Sequence, residues 1–160
     1  MNNKPNILIY GYGNPGRQDD GLGVSLSERF GKWIKEENLS SIKVECNYQL
    51  NIEDAAEIAD KDLVVFVDAS KEEINDFLFT RVKPSAEAEY TTHAVSPSYI
   101  CYLCNIIYDK APDVYLLHVK GYKWDFLEEM TDKAKHNLSR AYDYLKEFVL
   151  KNEVFLRNAN

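Results

Sequence analysis

Long apolar segments are missing from this sequence. None of its hydrophobic runs approaches the ~20 residues that a membrane-spanning helix needs. The first residues, Met1 to Pro5, lead directly into a short apolar strand, without the hydrophobic stretch and small-residue cleavage site of a secretory signal. We therefore expect no membrane span, no export and no membrane partner.

Cysteine is also scarce. The three cysteines, Cys46, Cys101 and Cys104, are an odd number and form no disulfide framework. They are typical of a protein in a reducing compartment, so we expect a cytoplasmic location. Cys101 and Cys104 form a single C-x-x-C within a predicted helix. We favour two small apolar side chains packed on a sheet over a redox or metal motif, because free cysteines are so often buried.

Basic residues are outnumbered by acidic ones. The chain has 19 Lys and Arg against 26 Asp and Glu, which gives a net charge of −7. Nucleic acids and anionic membranes are bound through clustered Lys and Arg, so this balance argues against both as general partners. The remaining composition, 45% hydrophobic and 28% charged over 160 residues, is that of one globular domain covering residues 1–160.

Strands and helices alternate along the chain. Short β-branched or apolar runs predict five strands, at 6–10, 42–46, 62–68, 77–82 and 114–119. Apolar residues at helical spacing predict four helices, at 22–37, 52–59, 97–107 and 131–150. This alternation predicts an α/β fold, with a mostly parallel sheet and helices on both faces. The run at 62–68 is continuously apolar, which predicts a central strand.

Two further expectations concern connections and ends. The link at 69–76 is too short for a helical crossover, so the strand at 77–82 should be antiparallel and near an edge. Residues 151–160 follow the last predicted helix, and we expect them to fray.

The most informative segment is the loop Gly11-Tyr-Gly-Asn-Pro-Gly-Arg-Gln-Asp-Asp-Gly-Leu-Gly23, which we call the glycine loop. Its first three glycines match the G-x-G-x-x-G of dinucleotide-binding domains, where a helix N-terminus receives a pyrophosphate. Asp19 and Asp20 argue against that interpretation, because at a helix N-terminus they would repel an anion and act as caps. Nucleotide binding is therefore not the interpretation that we favour, and a nucleotide-binding, Rossmann-like enzyme is kept only as an alternative.

A second interpretation makes the carboxylates part of a site. Asp68 closes the central strand, and a carboxylate there points into the crevice where α/β proteins bind ligands. His93 lies in a loop before a predicted helix and supplies an imidazole. Each residue alone is consistent with a cap, a turn or an incidental loop position. Together, Asp20, Asp68 and His93 would suit a divalent metal such as Ni, Zn or Fe.

At these residues the sequence resembles the nickel–iron hydrogenase maturation endopeptidases, which process the C-terminus of a hydrogenase large subunit. The resemblance covers most of the chain and rests chiefly on the glycine loop, with its Gly-x-Gly-Asn and Arg-x-Asp-Asp-Gly-x-Gly pattern. Three shorter motifs follow in the family's order: Val67-Asp-Ala69, Thr92-His-Ala-Val-Ser-Pro97 and Gly121-Tyr122. The resemblance implies a three-layer fold around a twisted, five-stranded, mostly parallel sheet.

The resemblance also implies an activity and a site. The activity is removal of the C-terminal extension from a nickel–iron hydrogenase large-subunit precursor after nickel insertion. The metal is the nickel carried by the substrate. In a crystal, another divalent metal could take its place. Asp20, Asp68 and His93 are the implied catalytic and metal-contacting residues. Some members carry Glu at the loop position, so the shorter Asp20 leaves Asp19 as a candidate substitute. We expect a monomer, and keep a non-catalytic hydrogenase assembly partner as a further alternative.

Overall fold

Five strands form one sheet in the computed structural model, which describes residues 4–87 and 95–158, with side chains to residue 153. The strands are β1 (Ile7–Tyr12), β2 (Ile42–Asn47), β3 (Leu63–Ser70), β4 (Phe77–Arg81) and β5 (Asp113–Lys120). Their order is β2-β1-β3-β5-β4, and only β4 is antiparallel to its neighbour. The predicted α/β sheet, with its antiparallel edge strand and the most apolar strand at its centre, is confirmed.

Four helices cover the two faces of the sheet. They are α1 (Leu22–Glu36), α2 (Asp54–Ile58), α3 (Pro97–Tyr108) and α4 (Asp132–Asn158). Alternate residues of β1 and β3 point to opposite faces, where α1 and α4 cover one cluster and α2 and α3 cover the other. The three-layer arrangement is thus confirmed. Among the described residues, no helix is both long and apolar enough to cross a membrane.

Cys101 and Cys104 lie in the cluster beneath α3, where both are buried. Burial raises the pKa of the Cys101 thiol to about 12, so this group does not readily form the reactive thiolate. The packing interpretation of the C-x-x-C is confirmed.

The expected fraying after residue 150 is wrong, because α4 continues to Asn158. Its apolar stripe of Leu138, Tyr142, Leu145 and Val149 is buried as predicted. One turn beyond Val149, Glu153 is also buried and accepts a hydrogen bond from the Ser41 hydroxyl at 3.1 Å. This contact joins the last turns of α4 to the residue before β2, and no local sequence pattern predicts it.

Candidate active site

The carboxyl ends of β1 and β3 meet the first turn of α1 at the glycine loop. The two strands are neighbours, with Gly11 opposite Val67. A Cβ on Gly23 would lie 2.3 Å from the Val67 carbonyl oxygen and 2.5 Å from that of Tyr12. Only glycine fits so close to two backbones, and its presence lets α1 begin directly over the strand ends. The residues just before α1 and just after the core of β3 therefore share one edge of the sheet.

Asp20 is positioned by the turn that precedes α1. Gly13 has a φ of +131°, which favours glycine, and a Cβ there would lie 2.2 Å from the Asp20 carbonyl oxygen. The Asp20 carboxylate accepts one hydrogen bond, from the backbone N–H of Asn14 at 2.9 Å, and remains partly exposed. Among the described residues its other oxygen has no hydrogen-bond donor, so it can contact a ligand.

Asp68 lies two residues before the end of β3, near enough to Asp20 to feel its charge. Burial raises the pKa of the Asp68 carboxyl to about 7, and the Asp20 charge adds to the rise. Hydrogen bonds from the Tyr12 hydroxyl and the Ala69 backbone act in the opposite direction. Burial and the Asp68 charge hold the pKa of the Tyr12 phenol well above its usual range, so Tyr12 stays a donor. A buried carboxyl whose pKa is raised beside a second carboxylate is typical of functional sites.

The raised pKa of Asp68 makes the stability of the fold pH-dependent. The unfolded chain loses the Asp68 proton near the ordinary pKa of 3.8, whereas the folded state keeps it until about pH 7. The free energy of unfolding therefore decreases as the pH rises from about 4 to 7. Asp68→Asn removes the charge and keeps an acceptor for Tyr12. We expect the variant to gain melting temperature relative to wild type between pH 5 and 7, by a few degrees at pH 8. Thermal scans across this range test the expectation, and a difference that does not vary with pH would contradict it.

Asp19 is fully buried and contacts a different part of the chain from Asp20. Its carboxylate accepts hydrogen bonds from four donors: the backbone N–H groups of Tyr122 (2.8 Å), Lys123 (3.1 Å) and Thr131 (2.8 Å) and the Thr131 hydroxyl (2.8 Å). Both oxygens are used, so this geometry gives no support to Asp19 as a substitute metal contact. Neither aspartate caps α1, whose first turn has no side-chain cap.

The partner of Asp19 is the segment between β5 and α4, residues 121–131, which we call the β5–α4 segment. The glycine loop anchors it through four further hydrogen bonds. These are Asp19 N–H to the Lys123 carbonyl (3.1 Å), Arg17 Nε to the Trp124 carbonyl (3.0 Å), Asp125 N–H to Gln18 Oε1 (3.2 Å) and Leu127 N–H to the Gly16 carbonyl (3.0 Å). In this segment only Gly121 and Tyr122 form a motif that the sequence shows, so the anchoring of the segment by the glycine loop was not predicted. The hydrogen bond from Tyr12 to Asp68 was not predicted either.

Most backbone N–H groups between Gly13 and Asp20 are already used within the protein. The N–H groups of the glycine loop donate within the protein at six positions: Gly13, Asn14, Gly16, Arg17, Asp19 and Asp20. Pro15 has no N–H to offer. Phosphate-binding loops act through free N–H groups, so this geometry argues against the nucleotide-binding alternative.

His93 lies outside the described residues, and its place beside Asp20 and Asp68 stays a prediction. Of the other histidines, His118 pairs in register with Asp68 but makes a 3.0 Å hydrogen bond with Thr80, and burial lowers its pKa. His136 is exposed on α4. Within the described part of the chain, no group of three His, Cys, Asp or Glu side chains is arranged to hold a metal ion. A complete ligand set would therefore need a group beyond the two aspartates.

Comparisons with known proteins give no matching family model and no matching curated protein. Solved structures do match. The nickel–iron hydrogenase maturation protease HycI from Thermococcus kodakarensis is 26% identical, with a TM-score of 0.72 over 90% of this chain and 92% of that one. The hydrogenase-maturating endopeptidase HybD from E. coli is 15% identical, with a TM-score of 0.71 over 91% and 93%. HycI from E. coli is 21% identical, with a TM-score of 0.65 over 89% and 90%. The resemblance predicted from the motifs is thus confirmed: this chain has the fold of the nickel–iron hydrogenase maturation proteases over most of its length.

Proposed function

We propose that this protein is an endopeptidase that removes the C-terminal extension of a nickel–iron hydrogenase large-subunit precursor. The observation that carries the proposal is the pair of neighbouring aspartates, Asp20 in the turn before α1 and Asp68 near the carboxyl end of β3. It is supported by the likeness to HycI and HybD, which are described as maturation proteases.

In this proposal the metal belongs to the substrate. Asp20 and Asp68 offer hard carboxylate oxygens at one edge of the sheet, and His93 supplies an imidazole, a mixture that suits nickel. The precursor's nickel would be engaged by these three side chains only after it has been inserted. Cleavage would then act as a checkpoint on metal assembly, and the scissile peptide would be held close to the two aspartates.

The chemistry is peptide hydrolysis. Water attacks the carbonyl carbon of the scissile bond, and the proton that it loses passes through a carboxylate to the leaving amine. Asp68 is suited to this role because the hydroxyl of Tyr12 donates to it and orients it. The metal of the precursor would polarise the carbonyl and lower the barrier to attack. We expect the protein to work as a monomer in the cytoplasm.

Incubation with the nickel-loaded precursor tests this function. We expect intact-mass measurement to show loss of the C-terminal extension from the precursor. Binding of the precursor without any change in mass would favour the non-catalytic assembly partner. Binding of NAD or ATP with micromolar affinity, together with an intact precursor, would favour the nucleotide-dependent enzyme.

A further inference from the structure

We propose that Phe126 and Leu127, in the β5–α4 segment, form a docking contact for the folded body of the metal-loaded precursor. The inference rests on the proposed function and extends it from the cleavage site to a neighbouring surface. We call this pair of residues the apolar tip.

The apolar tip is unusually open to solvent. Leu127 is 95% exposed and Phe126 is 68% exposed. Single exposed apolar residues are common on protein surfaces, but two adjacent ones beside a candidate active site suggest a contact with another molecule.

The backbone of the apolar tip is strained as well as exposed. Leu127 has a φ of +60°, a conformation that is unfavourable for a bulky side chain. Its N–H donates to the Gly16 carbonyl at 3.0 Å, which fixes it to the glycine loop. Strain that the surrounding contacts maintain is a feature of binding and active sites.

Contacts between the β5–α4 segment and the glycine loop hold the apolar tip in one position. Asp19 accepts four hydrogen bonds from this segment, and the side chains of Gln18 and Arg17 bind it further. The Arg17 guanidinium lies over the Phe126 ring at 5.5 Å from its centre. Because the tip is already ordered, a partner would lose little conformational entropy on binding it.

The connection to the glycine loop identifies the occupant. Leu127 is bonded to Gly16, whose N–H donates to the Asn14 side chain at 2.9 Å, and the Asn14 N–H donates to the Asp20 carboxylate at 2.9 Å. The apolar tip is therefore joined to the candidate site by a short chain of hydrogen bonds and lies beside it. A protein that brings its scissile bond to Asp20 and Asp68 must cover the surface beside them. Because Leu127 projects almost fully into solvent, it suits a cavity on a folded partner better than an extended tail. The body of the precursor is therefore the occupant that we infer.

A double variant, Phe126→Ser with Leu127→Ser, tests this contact. We expect KM for the nickel-loaded precursor to rise at least about fivefold, as for a central interface residue, and kcat to stay unchanged. The dissociation constant, measured by surface plasmon resonance, should rise in parallel. Both side chains are apolar and largely exposed to solvent, so neither has a role in the chemical step, and a fall in kcat alone would contradict the inference.

The matched control is Ile106→Ser with Ile107→Ser. These adjacent apolar residues are also exposed, at 56% and 60%, but lie near the end of α3. The adjacent Tyr108 borders a cleft with Asp62 and Asp113, at the starts of β3 and β5, which is the opposite edge of the sheet. We expect KM and the dissociation constant to be unchanged in this control.

Leu127→Gly separates docking from folding. Glycine accepts a φ of +60° without strain, so the melting temperature should hold or rise. We still expect KM to increase, because the side chain is gone.

An unchanged KM and dissociation constant in both tip variants, with a wild type that cleaves, overturns the docking inference alone. A wild type that binds through the tip without cleaving overturns the proposed function and leaves docking supported. A wild type that neither binds nor cleaves overturns both.

Discussion

Replacing Asp20 with Asn is expected to lower the rate of precursor cleavage about a hundredfold or more, within the range for loss of a positioned acid–base or ligand group. The variant loses the negative charge that would engage nickel. The amide oxygen can still accept the hydrogen bond from the backbone N–H of Asn14, so the turn before α1 is retained. The melting temperature should therefore stay close to that of the wild type. Single-turnover rates followed by intact mass provide the measurement.

The control for the Asp20 variant is Asp143→Asn, which removes an exposed carboxylate from α4. It lowers the net negative charge by the same amount and should leave the cleavage rate unchanged. Asp68→Asn should resemble Asp20→Asn in activity, with the added gain in melting temperature at high pH. Normal cleavage by the folded Asp20 variant would remove Asp20 from the site.

Replacing Asp19 with Ala is expected to destabilise the protein by about 3 kcal/mol or more, because four donors lose their acceptor in a buried position. The melting temperature should fall by roughly 6–12 °C for a chain of this size. Thr131 is among the donors, and its hydroxyl also accepts from the Ala134 N–H in the first turn of α4. The loss should therefore extend to the start of that helix.

The neighbouring residue provides the comparison for Asp19. Asp20→Ala removes one hydrogen bond to a partly exposed carboxylate and should cost about 1 kcal/mol. Chemical denaturation of the two variants side by side gives both free energies of unfolding. Equal losses would contradict the division of the pair into one residue that holds the fold and one that faces the site.

The division between Asp19 and Asp20 could not be predicted from the sequence. Both lie in a single 3-10 turn, Gln18–Gly21, in which successive side chains point about 120° apart. Which of them faces the strand ends depends on the β5–α4 segment, about a hundred residues further along the chain. Local spacing carries no information about that contact.

Other parts of the fold followed from local pattern. The apolar run of β3 predicted its central place, and the short link before β4 predicted an antiparallel edge strand. Asp68 was identifiable because it follows the apolar run of a buried parallel strand, which continues two residues further, to Ser70. The last turns of α4 were not, because their contact with Ser41 is distant in sequence. The apolar tip was missed for a similar reason, since the exposure of Leu127 is set by its anchor at Gly16 and not by any periodicity.

The measurement that tests the account most directly is a comparison of nickel-loaded and nickel-free precursor. Each is incubated with the wild-type protein and analysed by intact mass. The account predicts that the nickel-loaded precursor loses its C-terminal extension and that the nickel-free precursor keeps its full mass. Equal cleavage of both, or no cleavage of the nickel-loaded form, would contradict a site in which Asp20 and Asp68 recognise the metal of the substrate.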